Sequence, residues 1–181
     1  MQPTRVKRLV LSALFLALCM VLPFLTGQIP DIGSMLLPMH IPVLLCGLLC
    51  GWRWGMVVGA TAPVLRSLIF TMPPLYPVAL AMAVEMAVYG AVIGLLFGRL
   101  PRRGLTSLYA CLISAMLAGR LAWGGAQLLL LGLGGKSFTV AAFFAGAVTS
   151  ALPGIVLQLV LIPALMLALE KMHAVSLHSN T

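Results

Sequence analysis

Three charged residues interrupt long apolar stretches of the sequence, and together they could bind a small ligand. Glu85 is the only charged residue in ALAMAVEMAVYG (79–90), and it is one of three acidic residues in the chain. Arg66 and Arg120 stand inside two other apolar stretches. One carboxylate against two guanidinium groups leaves a surplus positive charge. That surplus predicts a site for an anion. The alternative is a structural salt bridge between Glu85 and one arginine, and a neutralised Glu85 or an arginine that snorkels to the outer headgroups would remove the surplus.

The composition indicates the environment in which these charges lie. Of 181 residues, 62% are hydrophobic and 8% are charged, whereas a soluble domain carries about a quarter charged residues. A chain with so little polar surface is expected to face lipid, where backbone hydrogen bonding favours helices. We therefore predict an all-α integral membrane protein with a single domain over residues 1–181. The apolar run at 9–26 is too long for a cleavable signal.

Turn residues divide the chain into six predicted transmembrane helices, at 7–27, 36–52, 54–72, 76–98, 104–132 and 138–170. About 20 helical residues cross the roughly 30 Å hydrocarbon core, so the last segment is too long. Pro153 and Gly154 interrupt it. We expect a short or broken helix near 138–152 and a true span near 151–169.

The basic residues predict the orientation of these helices. With a cytoplasmic N-terminus, eight of them fall on the inner side and Lys136 falls outside; the eight are Arg5, Lys7, Arg8, Arg53, Arg99, Arg102, Arg103 and Lys171. Such a bias is typical of cytoplasmic loops and predicts that both termini are cytoplasmic. It also accounts for the net charge of +8 without nucleic-acid binding, because the basic residues are scattered over several short loops.

The predicted helix directions bring the buried charges to similar depths in the outer half of the membrane. Charged residues there usually pair or line a cavity. We therefore predict an outward-facing cavity whose candidate substrate contacts are Arg66, Glu85, Arg120, Trp123, Gln127, Gln158, His40, Tyr76 and Tyr89. For His40 the alternative is a capping or interfacial role at the start of the second helix.

The sequence offers little for catalysis or for a cofactor. No HExxH motif is present, and the three histidines are split between the two predicted sides. The four cysteines suit apolar packing, so no metal site or cofactor is expected. LGLGGKS (131–137) lacks the first glycine of a phosphate-binding loop, because Leu130 holds that position. We expect a protein without catalytic activity.

The first helix carries a different signal. LSALFLALCM (11–20) places Ala13 and Ala17 four residues apart on one face, a spacing that suits either internal packing or a partner helix. Together with six predicted helices and LLPMHIPVLLCGLLCGWRWGMVVG (36–59), this pair makes the chain resemble the substrate-binding (S) component of energy-coupling factor (ECF) vitamin transporters.

The resemblance implies a function, partners and a location. Ala13 and Ala17 would dock on a transmembrane coupling (T) subunit that is driven by two cytoplasmic ATPase subunits, in the plasma membrane of a prokaryote. The protein would bind a water-soluble vitamin or related micronutrient with high affinity. The arginines favour a carboxylate-bearing ligand, such as pantothenate, over a cationic one. The alternative is a stand-alone secondary transporter that uses Glu85 for proton coupling.

Overall fold

The computed structural model describes residues 5–26, 37–100, 104–133, 139 and 151–171. In these ranges the chain forms helices and no strands, which confirms the predicted all-α class. The α-helices are α1 (Arg5–Val21), α2 (His40–Cys50), α3 (Trp52–Phe70), α4 (Leu80–Arg99), α5 (Leu105–Leu133) and α6 (Leu152–Lys171). A 3-10 turn, Leu22–Thr26, follows α1, and an irregular segment, Leu75–Ala79, in which Tyr76 has an extended backbone, leads into α4.

Four described segments are long and apolar enough to cross a membrane: Arg5–Phe24, Leu75–Arg99, Leu105–Leu133 and Leu152–Lys171. They confirm a multi-span membrane protein. The helix α2 is apolar but has 11 residues, so its length of about 16 Å is short for a hydrocarbon core of about 30 Å. The helix α3 has 19 residues and is more polar, with two arginines. The six-span count therefore stays a prediction.

The last helix begins where the sequence analysis placed the break. The helix α6 starts at Leu152, and Pro153 lies in its first turn, where the missing backbone N–H removes no helical hydrogen bond. The predicted span near 151–169 is confirmed. The predicted short helix before it lies, apart from Thr139, outside the described residues.

Contacts between helices fix their relative directions. The Cys46 thiol lies 3.7 Å from the Ser12 hydroxyl, and the Cys19 thiol lies 3.5 Å from the Met39 carbonyl oxygen, so α1 and α2 are antiparallel. The start of α3 packs on the end of α4. The evidence is the close approach at Gly94, where an added Cβ atom would lie 2.5 Å from the Trp52 nitrogen. The starts of α1 and α3 therefore share one end of the bundle with the end of α4. That end carries Arg5, Lys7, Arg8, Arg53 and Arg99.

Five glycines let α2, α3 and α4 approach until their backbones touch. We call them the glycine seam: Gly47, Gly55, Gly59, Gly90 and Gly94. A Cβ atom on Gly55 would lie 2.7 Å from the Gly47 Cα, and one on Gly90 would collide with the carbonyl group of Gly55. The GxxxG patterns at 55–59 and 90–94 thus serve internal packing, as their spacing suggests.

The central position of α2 follows from its composition. HIPVLLCGLLC (40–50) is apolar around its whole circumference, and a helix of that kind is buried on all sides. Nine of its 11 residues are buried, and α1, α3, α4 and α6 all contact it. Its first residue, His40, is thereby carried into the interior.

Candidate functional site

Three ionisable side chains from different helices meet in the interior, and we call them the ion triad: His40 on α2, Glu85 on α4 and Arg120 on α5. Glu85 is 2% exposed. Its Oε1 atom lies 2.9 Å from Nη1 of Arg120 and 3.5 Å from Nε2 of His40. These are close ion-pair distances, but neither contact has the alignment of a hydrogen bond. Glu85 and Arg120, which the sequence predicts at similar depths, thus lie side by side.

Tyr89 forms one wall of the ion triad. It follows Glu85 by one turn of α4 and is 1% exposed. Its ring meets the His40 ring edge-on, with 5.2 Å between centroids and 81° between planes.

Gly119 makes room for this wall, and the sequence analysis did not single it out. A Cβ atom at position 119 would lie 3.1 Å from three carbons of the Tyr89 ring, closer than ordinary van der Waals contact. The glycine immediately before Arg120 therefore lets the aromatic ring lie against α5. The feature of the sequence that could have identified Gly119 is a small residue next to an arginine inside an apolar helix.

Several buried polar atoms of the ion triad and of two glutamines, Gln127 on α5 and Gln158 on α6, have no hydrogen-bond partner within the described ranges. They are both ring nitrogens of His40, Oε1 of Glu85, Nε and Nη2 of Arg120, Oε1 of Gln127, and Nε2 and Oε1 of Gln158. Gln127 is 8% exposed and Gln158 is 1% exposed. Gln158 lies on the buried face of α6, and α6 contacts both α2 and α5. Because buried polar atoms nearly always find a partner, this cluster is chemically suited to receive a polar molecule.

Arg66 is not part of this cluster, which corrects the expected surplus of positive charge beside Glu85. Its Nη1 donates to the carbonyl oxygen of Met20 at 2.6 Å. Its guanidinium lies 5.1 Å from the ring centroid of Phe24 and 5.2 Å from that of Phe70. Among the described ion pairs, Glu85 therefore faces one arginine. The position of Arg66 in the sequence predicts its depth along the helix, but not the direction of its side chain.

The remaining candidates occupy the margins of the site or the outside of the bundle. Trp123 is half-buried, one turn from Arg120 along α5. Tyr76 is 49% exposed, and its hydroxyl donates to the Leu130 carbonyl oxygen, joining the turn before α4 to the end of α5. Ala13 and Ala17 are exposed on α1.

A comparison with protein families identifies the kind of protein that holds this cluster. The family model described as "ECF transporter, substrate-specific component" matches residues 7–166. The chain belongs to this family. Comparisons with curated proteins and with solved structures gave no match.

Residues 7–166 contain the ion triad, Tyr89 and both buried glutamines. The protein is thus a membrane transport subunit of the substrate-binding kind, as the resemblance implied. For an S component, a buried cluster of polar atoms that lack internal partners is the natural candidate for substrate recognition.

Proposed function

We propose that this S component binds a small water-soluble vitamin or related micronutrient that carries an anionic group, at the cluster formed by the ion triad, Gln127 and Gln158. The observation that carries the proposal is the set of buried polar atoms without hydrogen-bond partners in the described ranges. Tyr89 and Trp123 would supply apolar walls, and Tyr76 lies at the edge.

The donor pattern of Arg120 favours a carboxylate. Only Nη1 approaches Glu85, while Nε and Nη2 have no partner among the described residues. Two N–H groups of one guanidinium form the fork that binds a carboxylate in a bidentate manner. The anion preference rests on Arg120 alone, because the charge of Arg66 is held elsewhere.

The two glutamines favour further polar groups on the ligand. Gln158 offers a donor and an acceptor, and Gln127 offers an acceptor. They would suit hydroxyl or amide groups placed beside the carboxylate, and a pantothenate-like molecule combines these features. Such hydrogen bonds are strong where water is excluded.

We further propose the six-span topology with both termini in the cytoplasm of a prokaryote, as part of the plasma membrane. The basic end of the bundle supports it, because Arg5, Lys7, Arg8, Arg53 and Arg99 lie together as cytoplasmic residues would. The ion triad lies towards the opposite end, near the starts of α2 and α4, where an extracellular ligand would enter.

The partners that we propose are a T subunit and two ATPase subunits. The match to a substrate-specific component favours this arrangement over a stand-alone proton-coupled transporter. The exposed positions of Ala13 and Ala17 leave the small-residue face of α1 accessible to a partner helix.

Replacing Ala13 and Ala17 together with leucine should reduce uptake by about tenfold or more and leave ligand binding by the isolated S component unchanged, because larger side chains keep a docked helix at a distance. Uptake by cells that express the full set of subunits measures the first effect. Ligand retention after purification measures the second.

The chain offers a matched control on another helix. Ala164 and Ala168 are also exposed and four residues apart, on α6. Leucine at these two positions should leave uptake near the wild-type rate. Equal losses from both double variants would contradict docking through α1.

Mass spectrometry of small molecules carried through purification tests the ligand assignment. We expect about one equivalent of a vitamin-sized carboxylate in the wild-type protein, and its loss in Arg120→Gln. A bound cation, or a compound that both proteins retain equally, would contradict the proposed anion site.

A further inference from the structure

Arg66 is a buried cation whose partners hold two helix ends together. It is 3% exposed, and no carboxylate lies in ion-pair distance within the described ranges. Instead, its guanidinium donates to the Met20 carbonyl of α1 and lies against the rings of both Phe24 and Phe70. Those two rings also meet edge-on, with 5.0 Å between centroids. The chain segments that follow α1 and end α3 are thus joined through one side chain.

The local sequence explains why the end of α1 accepts this bond. Carbonyl groups in the last turn of a helix lack intrahelical partners, and they form the negative end of the helix dipole. Pro23 has no N–H to continue the helical pattern, and the chain changes to a 3-10 turn at Leu22. The Met20 carbonyl is therefore available to a cation. The aromatic faces replace part of the hydration that Arg66 loses on burial.

Two thiol contacts that join α1 to α2 and to the residue before it are weaker. The Cys46 thiol contacts Ser12 at 3.7 Å, and the Cys19 thiol contacts the Met39 carbonyl at 3.5 Å. Thiols are weak donors, whereas a guanidinium forms a charge-assisted bond. The bond from Arg66 is therefore stronger than either thiol contact of α1.

We propose that Arg66 is a positioning residue, which fixes the angle of α1 against α3 rather than touching the substrate. This proposal rests on the proposed function, since α1 carries the exposed Ala13 and Ala17 of the docking face. A partner that docks there exerts force on α1. With Arg66 in place, that force moves α1 and α3 together; without it, α1 can pivot alone. Arg66 is then needed for transport and not for equilibrium binding of the substrate.

Hydrogen exchange of the purified protein tests the link without any ligand. In the Arg66→Met variant, backbone amides in the last turn of α1 and in Leu22–Thr26 should exchange about tenfold faster. The variant loses one charge-assisted hydrogen bond and two ring contacts, and this loss should raise the equilibrium constant for local opening by about an order of magnitude. The Phe70→Leu variant should also raise the exchange rates of these amides, to a smaller extent. Arg53→Met, an exposed arginine of the same helix, should leave it unchanged.

Ligand retention and uptake complete the test. The Arg66→Met variant should retain an amount of the co-purified compound within about twofold of the wild type. Its rate of uptake should be lower by about tenfold or more, and the Arg66→Lys variant should recover part of that rate. The positioning role would be overturned if hydrogen exchange in the Arg66→Met variant matched the wild type, or if this variant lost as much of the compound as Arg120→Gln does. If the wild-type protein carries no ligand, the proposed function fails, while the exchange measurement still decides the role of Arg66.

Discussion

Replacing Glu85 and Arg120 together with glutamine should yield a folded protein that has lost its ligand. The single variant Arg120→Gln leaves the buried Glu85 carboxylate without its arginine, and breaking a buried pair in this way costs about 3–5 kcal/mol of folding stability. Removing both charges avoids that penalty. Ligand affinity should nevertheless fall by at least roughly 30-fold, because losing a buried charged contact costs about 2–5 kcal/mol.

Thermal unfolding in detergent and ligand retention distinguish the two roles of Arg120. The melting temperature should fall in Arg120→Gln and recover in the double variant, whereas retention should be lost in both. Glu85→Gln alone serves as the matched control, since it keeps the guanidinium and removes its partner. If the double variant recovered binding along with stability, the pair would be a structural salt bridge and the ligand contact would be disproved.

Gly90→Ala should disrupt the protein more than any other single-methyl addition in α4. The new Cβ atom would collide with the backbone carbonyl group of Gly55, and backbone atoms of a packed helix cannot rotate away. Overpacking of this kind costs about 1–3 kcal/mol and occasionally more. We expect a clear drop in melting temperature and a smaller yield of monodisperse protein on size-exclusion chromatography.

Gly98→Ala provides the control for this prediction. It lies on the same helix, and among the described residues no atom beyond the adjacent helix backbone lies within 4 Å of the position that its Cβ would take. Its melting temperature should match that of the wild type or exceed it, because alanine favours helix more than glycine does. Equal melting temperatures for the two variants would show that α3 and α4 are not in backbone contact along the glycine seam.

The sequence was sufficient to find most of the candidate site. A carboxylate in an apolar helix needs a partner, and helix lengths alone placed Glu85 and Arg120 at matching depths. The same reasoning placed Arg66 with them, but Arg66 bonds to the Met20 carbonyl instead. An arginine side chain is long enough to reach a neighbour on either side of its helix, and depth does not distinguish between those neighbours.

The roles of His40 and Gly119 depend on tertiary contacts, which residue spacing along the sequence does not predict. His40 could equally have capped α2 at the membrane surface; its burial follows from the central position of α2, which four other helices surround. Gly119 acquires a role because the Tyr89 ring lies against it. Both contacts join residues on different helices.

By itself, the sequence determined that the chain is a helical membrane protein, that its basic residues gather at one end, and that a few polar groups must be buried. Those properties follow from composition and length, because lipid cannot solvate charges or open backbone groups. Only the tertiary structure decided which buried charged side chains lie next to each other. The rotation of each helix about its axis is set by packing, here by the glycine seam and by α2 at the centre. That rotation directs Arg120 towards Glu85 and leaves Arg66 to join α1 to α3.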